Sequence, residues 1–227
     1  MSTIDHRDRD ARGARDELTQ LCERGVDWRT GPARTLEDPT TARPAAVLVL
    51  FGELEGTGAP ATARDLDVLL QRRSAALGSH AGQIAFPGGR LEPSDAGPRE
   101  AALREAVEET GLDPSGVDVL GTLPPLPVPV SNHLVTPVPA WWTRPSQVAA
   151  VDHAETVEVF RVTVADLLDP DNRASVEHSR WGRTIRTPAF VLNGVLVWGF
   201  TGIVLSRMFD SLGWAVPWDE HRTVSAR

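Results

Sequence analysis

With 227 residues, 31 acidic and 23 basic side chains and a formal charge of −8, the chain can bury about 70% of its unfolded surface and needs no covalent or metal staple to fold. Its basic side chains apart from histidine are all arginines, and they form no basic stripe, so the composition argues against a duplex nucleic-acid binder. The single cysteine, Cys22, excludes an internal disulfide framework. The charged start lacks the apolar core of a secretory signal, and no apolar run approaches the ~18 residues of a membrane span. The expectation is therefore a soluble, cytoplasmic protein with no membrane partner.

Residues 1–30 read as an N-terminal extension, a flexible start followed by a helix around Asp16–Arg24. Cys22 lies in that polar helix with no partner motif beside it, so it is not read as a nucleophile. Gly31–Arg43 reads as a loop. Ala45–Phe51 is an unbroken apolar run of strand length, and Leu66–Arg73 is a second strand. With the turn-rich Glu53–Arg64 between them, the two form a hairpin.

Ile84-Ala85-Phe86 is a short apolar run that stops at Pro87-Gly88-Gly89. Val117–Thr122 reads as a strand, Leu123–Val130 as an ordered loop, a rigid connector or a substrate-facing segment, too rich in proline for a central strand, and Leu134–Trp142 as an edge-like or bulged strand. Thr156–Val162 alternates as a strand should, and Val164–Leu168 is a helical turn stopped by Asp169-Pro170. Phe190–Trp198 is the clearest hairpin, because Asn193-Gly194 favours the positive φ values of a two-residue turn. A last helix starts from Thr201 as N-cap and turns positions 203, 204, 208, 209 and 212 towards a sheet. The sum is an α+β fold, a mixed sheet with helices on both sides, in one domain over residues 31–227.

The chemistry concentrates in the helix between Pro98 and Gly111, its start and stop signals. At ~100° per residue, Ala102, Leu103, Ala106, Val107 and Thr110 share a core-facing side. Glu105, Glu108 and Glu109 share the other, with Ala101 leaving space among them. Two carboxylates ~6 Å apart repel by roughly 3 kcal/mol at an effective dielectric of ~20, and Arg104 offsets only part of this. Such a face is either solvated acid or a ligand set. The preceding Gly88-Gly89 favours the second reading, because glycine lets backbone carbonyls approach closely. Carbonyl and carboxylate oxygens are hard donors that suit Mg²⁺ or Mn²⁺ and not zinc, and magnesium binds best when a substrate phosphate completes its shell.

The run Gly89-x5-Asp95-x8-Arg104-Glu105-x2-Glu108-Glu109-x-Gly111-Leu112 resembles the Nudix box of Nudix hydrolases, usually G-x5-E-x7-R-E-U-x-E-E-x-G-U with U aliphatic. It departs at Asp95, in one extra residue before Arg104, and in the small Ala106 at an aliphatic position. The first two departures are typical of the coenzyme A diphosphatase branch. Leu69–Gly89 is similar to that branch's motif LLTxRSxxxRxxxGxxxFPGG, with Gln71 replacing the threonine and Gly78 the second arginine. Weaker resemblance runs on through Leu123–Val138, Glu155–Val162 and Val197–Leu205.

The resemblance implies the Nudix fold, an α/β/α sandwich, and a small nucleotide substrate in which a nucleoside diphosphate is linked to another moiety. It implies Mg²⁺ or Mn²⁺ held by Glu105, Glu108, Glu109 and the Gly88 carbonyl, with Arg104 orienting Glu105 or Glu108. Glu105 is the candidate base, with Glu155 and Glu158 as later-loop alternatives. Arg73, Ser74, His80, Gly82 and Phe86 stand as substrate-binding residues, with His80 or Arg73 serving for the missing arginine. Coenzyme A and its thioesters head the substrates. ADP-ribose or a dinucleotide, and an inactive binding module, stay open, although the intact Glu105, Glu108 and Glu109 speak against the last. Family analogy admits a homodimer. The seven tryptophans, with the pair Trp141-Trp142, read first as core or interface and only then as adenine stackers. His133 reads first as a loop residue and only then as a substrate contact, and Asn172-Arg173 as the end of a short helix.

Overall fold

Strand β1 (Arg43–Glu53) carries an apolar run without alternation because both its faces are covered. Ala46, Leu48 and Leu50 pack with helix α2 (Pro98–Thr110), whereas Val49 and Phe51 pack with α1 (Ala14–Arg24) and α4 (Gly199–Leu212). The computed structural model describes residues 13–28, 36, 38–75, 81–180 and 183–226. The flexible start, part of the Gly31–Arg43 loop, Gly78 and His80 lie outside the described residues.

Around β1 the described residues form an eight-stranded mixed sheet. Antiparallel to β1 run β2 (Leu66–Arg73), which closes the expected hairpin, and β4 (Gly88–Arg90). The parallel neighbour is β7 (His133–Trp142), in register from Arg43 opposite His133 to Gly52 opposite Trp142. Four shorter or outer strands complete it: β3 (Ile84–Ala85), β5 (Val117–Val119), β6 (Leu126–Val128) and β8 (Thr156–Thr163). The short α3 (Val164–Leu168) follows β8 and buries Val164, Leu167 and Leu168.

A second, four-stranded sheet stands apart from the single mixed sheet that the sequence predicts. It is built from β9 (Arg173–Arg180), β10 (Arg183–Leu192), β11 (Val195–Val197) and β12 (Thr223–Val224), in the order β11–β10–β9–β12. The β10–β11 turn has the expected geometry, with φ of 49° at Asn193 and 82° at Gly194. Strand β9 carries little apolar alternation, because its inward positions include Arg173 and Ser175, both buried. Among the described residues no helix is long and apolar enough to cross a membrane.

Three expectations need correction. Strand β7 is central rather than edge-like, flanked by β1 on one side and by β5 and β6 on the other. Its prolines are tolerated because their carbonyls, and with them the edge where N–H groups are missing, face the gap between β5 and β6. There Pro139 O and Pro137 O accept from Leu120 N at 3.0 Å and Leu123 N at 2.9 Å. The proline-dense Leu123–Val130 is not all loop, since Leu126–Val128 pairs with Val135–His133. Helix α4 starts at Gly199, so Thr201 is no cap; it is buried in the first turn and its hydroxyl donates to Ile84 O at 3.0 Å. The apolar side of that helix is as expected, with Ile203, Val204, Met208, Phe209 and Leu212 all buried. Helix α1, placed with the N-terminal extension in the sequence, packs Leu18 and Leu21 into the same core.

Candidate active site

Helix α2 lies on the sheet through small residues. Ala101, Ala102 and Ala106 are fully buried against Ala46, Leu48 and Leu50. The buried side is therefore rotated from the expected one. Leu103 is half-buried and Val107 is 36% exposed, while Ala101 and Glu109 point inward. Gly111 closes the helix in the left-handed conformation, as expected. The close approach brings the acids onto β4. A Cβ at Gly89 would stand 2.4 Å from the Glu105 carboxylate, and one at Gly88 would meet Ala46 O at 2.4 Å. Beside β1, the first two positions of β4 leave no free room for a side chain, against backbone at Gly88 and against the Glu105 carboxylate at Gly89.

Glu109 is only 6% exposed. Its Oε2 accepts from Gln71 Nε2 at 2.7 Å and from the Gly88 N–H at 2.8 Å, and its Oε1 lies 3.9 Å from Arg73 Nη1. Burial pushes its carboxyl up to about 7, against the pull of the Gly88 and Gln71 hydrogen bonds and of Arg73. Gln71 is fully buried, and its Oε1 accepts from Thr156 Oγ1 at 3.3 Å. In the sequence this glutamine stands out only as a departure from a motif. Its signal was a lone amide inside an apolar strand.

Arg104 organises the other acids. Its Nε and Nη2 grip Asp95 Oδ1 and Oδ2, each at 3.1 Å, in a fork that suits a planar guanidinium. Nη1 donates to Glu105 Oε1 at 3.1 Å and Glu108 Oε2 at 3.0 Å, and Nη2 to the Arg90 carbonyl at 3.0 Å. Arg104 thus orients both Glu105 and Glu108, where the sequence left a choice between them. The fork holds the Asp95 carboxyl below its usual range, and its partners push Arg104 up. Burial raises Glu105, with Arg104 opposing and Glu108 and Glu155 adding to the rise. Glu155 therefore lies within electrostatic reach of Glu105, whereas Glu158 is paired with Arg72 at 3.1 Å. Glu108 is the open member, its side chain 57% exposed.

Among the described residues no three acid, histidine or cysteine side chains converge on one metal position. Arg104 holds Glu105 and Glu108, and Glu109 is turned to Gly88 and Gln71. The donor set still fits a hard divalent cation. All its atoms are oxygens, three carboxylates span little more than one helical turn, and Gly89 leaves Glu105 a cradle that a side chain would fill.

On the other side of β4 opens a cavity of about 290 Å³. Of the expected substrate-binding residues, Arg73 and Phe86 line it, and Ser74 and Gly82 do not. Ser74 is buried at the end of β2, its N–H donating to Glu155 O at 2.8 Å, while Gly82 is exposed with φ 69°. Arg90, His133, Trp198 and Phe200 also line the cavity; His133 opens β7 and does not lie in a loop, and of these four the sequence weighs only His133 and the tryptophans against substrate contact. They come from three separate segments, β4, β7 and the β11–α4 junction, which no local pattern connects.

A mixed sheet bearing an arginine-clamped acidic helix against a glycine strand is the arrangement of a Nudix hydrolase. The NUDIX domain model matches residues 43–182, more than half of the chain, and the chain belongs to that family. It is 36% identical over 141 residues to the "Uncharacterized Nudix hydrolase NudL" of Photorhabdus laumondii, a match covering 62% of this chain and 74% of the relative. The protein of the same name from Shigella flexneri serotype 5b is 33% identical over 176 residues, covering 78% of this chain and 86% of the relative. Among solved structures, the Nudix hydrolase RenU of M. smegmatis is 26% identical, with a TM-score of 0.42, over 53% of this chain and 70% of that one. As a family member the protein is a hydrolase of nucleoside diphosphate-linked substrates, and the family works with divalent metal ions.

Proposed function

We propose that the protein hydrolyses the diphosphate bond of coenzyme A and its thioesters, giving 3′,5′-ADP and the (acyl-)4′-phosphopantetheine. The observation that carries the reaction is the contact of Glu105 and Glu109 with the side-chain-free Gly88-Gly89 strand. The substrate rests on the resemblance of Leu69–Gly89 to the motif of the coenzyme A diphosphatase branch, in which the matching Arg73 lies 3.9 Å from Glu109.

Glu105, Glu108 and Glu109, with the Gly88 carbonyl, would hold Mg²⁺ or Mn²⁺. When bound, the cation supplies charge neutralisation at the diphosphate and acidifies a water. The chain's own residues do the rest. Arg104 fixes Glu105 and Glu108 relative to each other, so that neither spends rotamer freedom on reaching its working position. Gln71 and Gly88 N–H hold Glu109 Oε2 and leave Oε1 facing Arg73. Glu105, half-buried and facing β4, is the candidate to receive the proton of the attacking water, and Glu155 is the alternative.

The test is to incubate the protein with Mg²⁺ or Mn²⁺ and coenzyme A, ADP-ribose or NADH and to identify the products. Cleavage of coenzyme A to 3′,5′-ADP, lost in Glu109→Gln, is expected. Preferred cleavage of ADP-ribose or NADH would overturn the coenzyme A reading and leave the hydrolase. Turnover of none of the three would overturn the active site described above.

A further inference from the structure

The cavity beyond β4 has a composition unlike the rest of this acidic protein. Its floor is apolar: Ala45, Val128 and Val135 form a small buried cluster against which Val47 and Phe200 pack. Trp198 and Phe200 contribute rings from the junction of β11 and α4, and the Trp198 ring is stacked on His178 of β9 at 5.7 Å and 25°. Among the described residues, the charged and titratable groups that line it are Arg73, Arg90 and His133, and no carboxylate does. Arg90 Nε donates to His133 Nε2 at 3.4 Å, which sets these two groups side by side at one rim.

The wall shared with the acid helix is Gly88-Gly89, so the cavity and the carboxylates lie on the two sides of one bare strand. A substrate whose diphosphate sits at the carboxylates can lay only one of its ends in this space. A volume near 290 Å³ is at the small end of ligand sites, which run roughly 300–1,000 Å³. It holds a nucleoside and not a whole dinucleotide. Aromatic rings over an apolar floor suit a flat base, and an arginine beside a histidine suits a phosphate.

We propose that this cavity takes the nucleoside end of the substrate and that Arg90, beside His133, reads a phosphate monoester on its ribose, separate from the diphosphate that is cleaved. Trp198 and Phe200 hold the base. This rests on the hydrolase reading above and deepens it, because the additional phosphate is what separates coenzyme A from ADP-ribose and from a simple dinucleotide. It also supplies from β4 an arginine for a substrate whose expected recognition residue is replaced by Gly78.

Two measurements separate this inference from the reading it rests on. Titrating the wild-type protein with 3′,5′-ADP and with 5′-AMP, in chelator, tests the phosphate site without turnover. Wild type should bind 3′,5′-ADP about 10-fold or more tightly than 5′-AMP, the worth of one charge-assisted contact. Arg90→Gln should remove most of that ratio, and Arg90→Lys should restore part of it. Equal affinity in wild type, or a ratio that survives Arg90→Gln, overturns the inference. The substitution leaves the Arg104 bond in place, since Arg104 grips the carbonyl of Arg90 and not its side chain.

In the second measurement, kcat/KM is compared for coenzyme A and its 3′-dephospho form. Arg90→Gln should lower the coenzyme A value about 10-fold more than the dephospho value, and Trp198→Ala should raise KM for both. A wild type that cleaves both equally well overturns the inference alone. A wild type that cleaves neither, while still preferring 3′,5′-ADP over 5′-AMP, overturns the coenzyme A reading and leaves the phosphate site standing.

Discussion

Two adjacent glycines do different work at the candidate site. At Gly89 the atoms in the way of a Cβ are the carboxylate end of Glu105, which can swing aside. At Gly88 they are the backbone of Ala46 and Val47, and φ is 153°, a value that side chains resist. Gly89→Ala should therefore leave the melting temperature nearly unchanged and lower kcat by about 100-fold or more, the effect of misplacing a catalytic group. Gly88→Ala should destabilise by about 1–3 kcal/mol or more, from overpacking and backbone strain. Thermal melts paired with steady-state rates on both variants check this, and a Gly89→Ala enzyme of normal rate would remove Glu105 from the mechanism.

Asp95 gives a pH dependence at the same scale. The Arg104 side chain is the largest cause that lowers its pKa in the folded protein, below the ordinary 3.8. A carboxyl so lowered contributes stability at pH values above its unfolded pKa and loses it as pH falls through the folded one. Asp95→Asn should thus be less stable than wild type at neutral pH, with the gap closing at pH below about 3.8. Urea melts from pH 7 to pH 3 measure it, and a constant gap across that range would show that the fork with Arg104 contributes nothing through charge.

At the scale of elements, the helix–sheet contact decides where the acids sit. Helix α2 lies close to β1 because alanines face it, and Ala106 is fully buried there. Enlarging it to leucine, an aliphatic residue of the kind usual at that motif position, should cost about 1–3 kcal/mol and lift the carboxylates from β4. Ala106→Leu should therefore lose both melting temperature and activity, and a fully active, equally stable variant would mean that the helix has room to spare. The local pattern marked this helix and its ends, since Pro98 and Gly111 are local signals. It misplaced the buried side by about one residue, with Val107 out and Ala101 in. A face with leucine and valine on one flank and alanine on the other is ambiguous until the sheet beneath is known.

On the scale of the whole molecule, the second sheet is tied to α4 and to the C-terminal segment by a buried cation. The Arg173 guanidinium lies between the rings of Phe190 at 4.6 Å and Trp218 at 4.5 Å and donates to Ser206 Oγ at 2.8 Å. Among the described residues its Nε and Nη1 are buried without a hydrogen-bond partner, and burial lowers its pKa to about 10. The stacking stabilises it and the desolvated N–H groups oppose it. Replacing a poorly satisfied buried charge with an apolar chain of similar length is commonly neutral or stabilising, by about 1–4 kcal/mol. Arg173→Met should accordingly keep or raise the melting temperature in calorimetry, and a drop worth more than about 2 kcal/mol would make the ring sandwich the dominant effect.

What the chain determined alone was local and periodic: the hairpin at Asn193-Gly194, the buried strand over Ala45–Phe51, and the helix that places Arg104, Glu105, Glu108 and Glu109 within two turns. These follow from backbone preferences and from the spacing of side chains along one element, which neighbouring residues enforce without help. The tertiary structure decided the rest. Gln71 meets Glu109 across 38 residues of sequence, and the cavity takes Arg90, His133 and Trp198 from three different strands or strand ends. The centrality of β7, prolines included, was settled by the gap between β5 and β6. Each of these depends on which strands lie side by side, and that is set by burying two faces of one sheet at once. No stretch of the chain carries this information by itself.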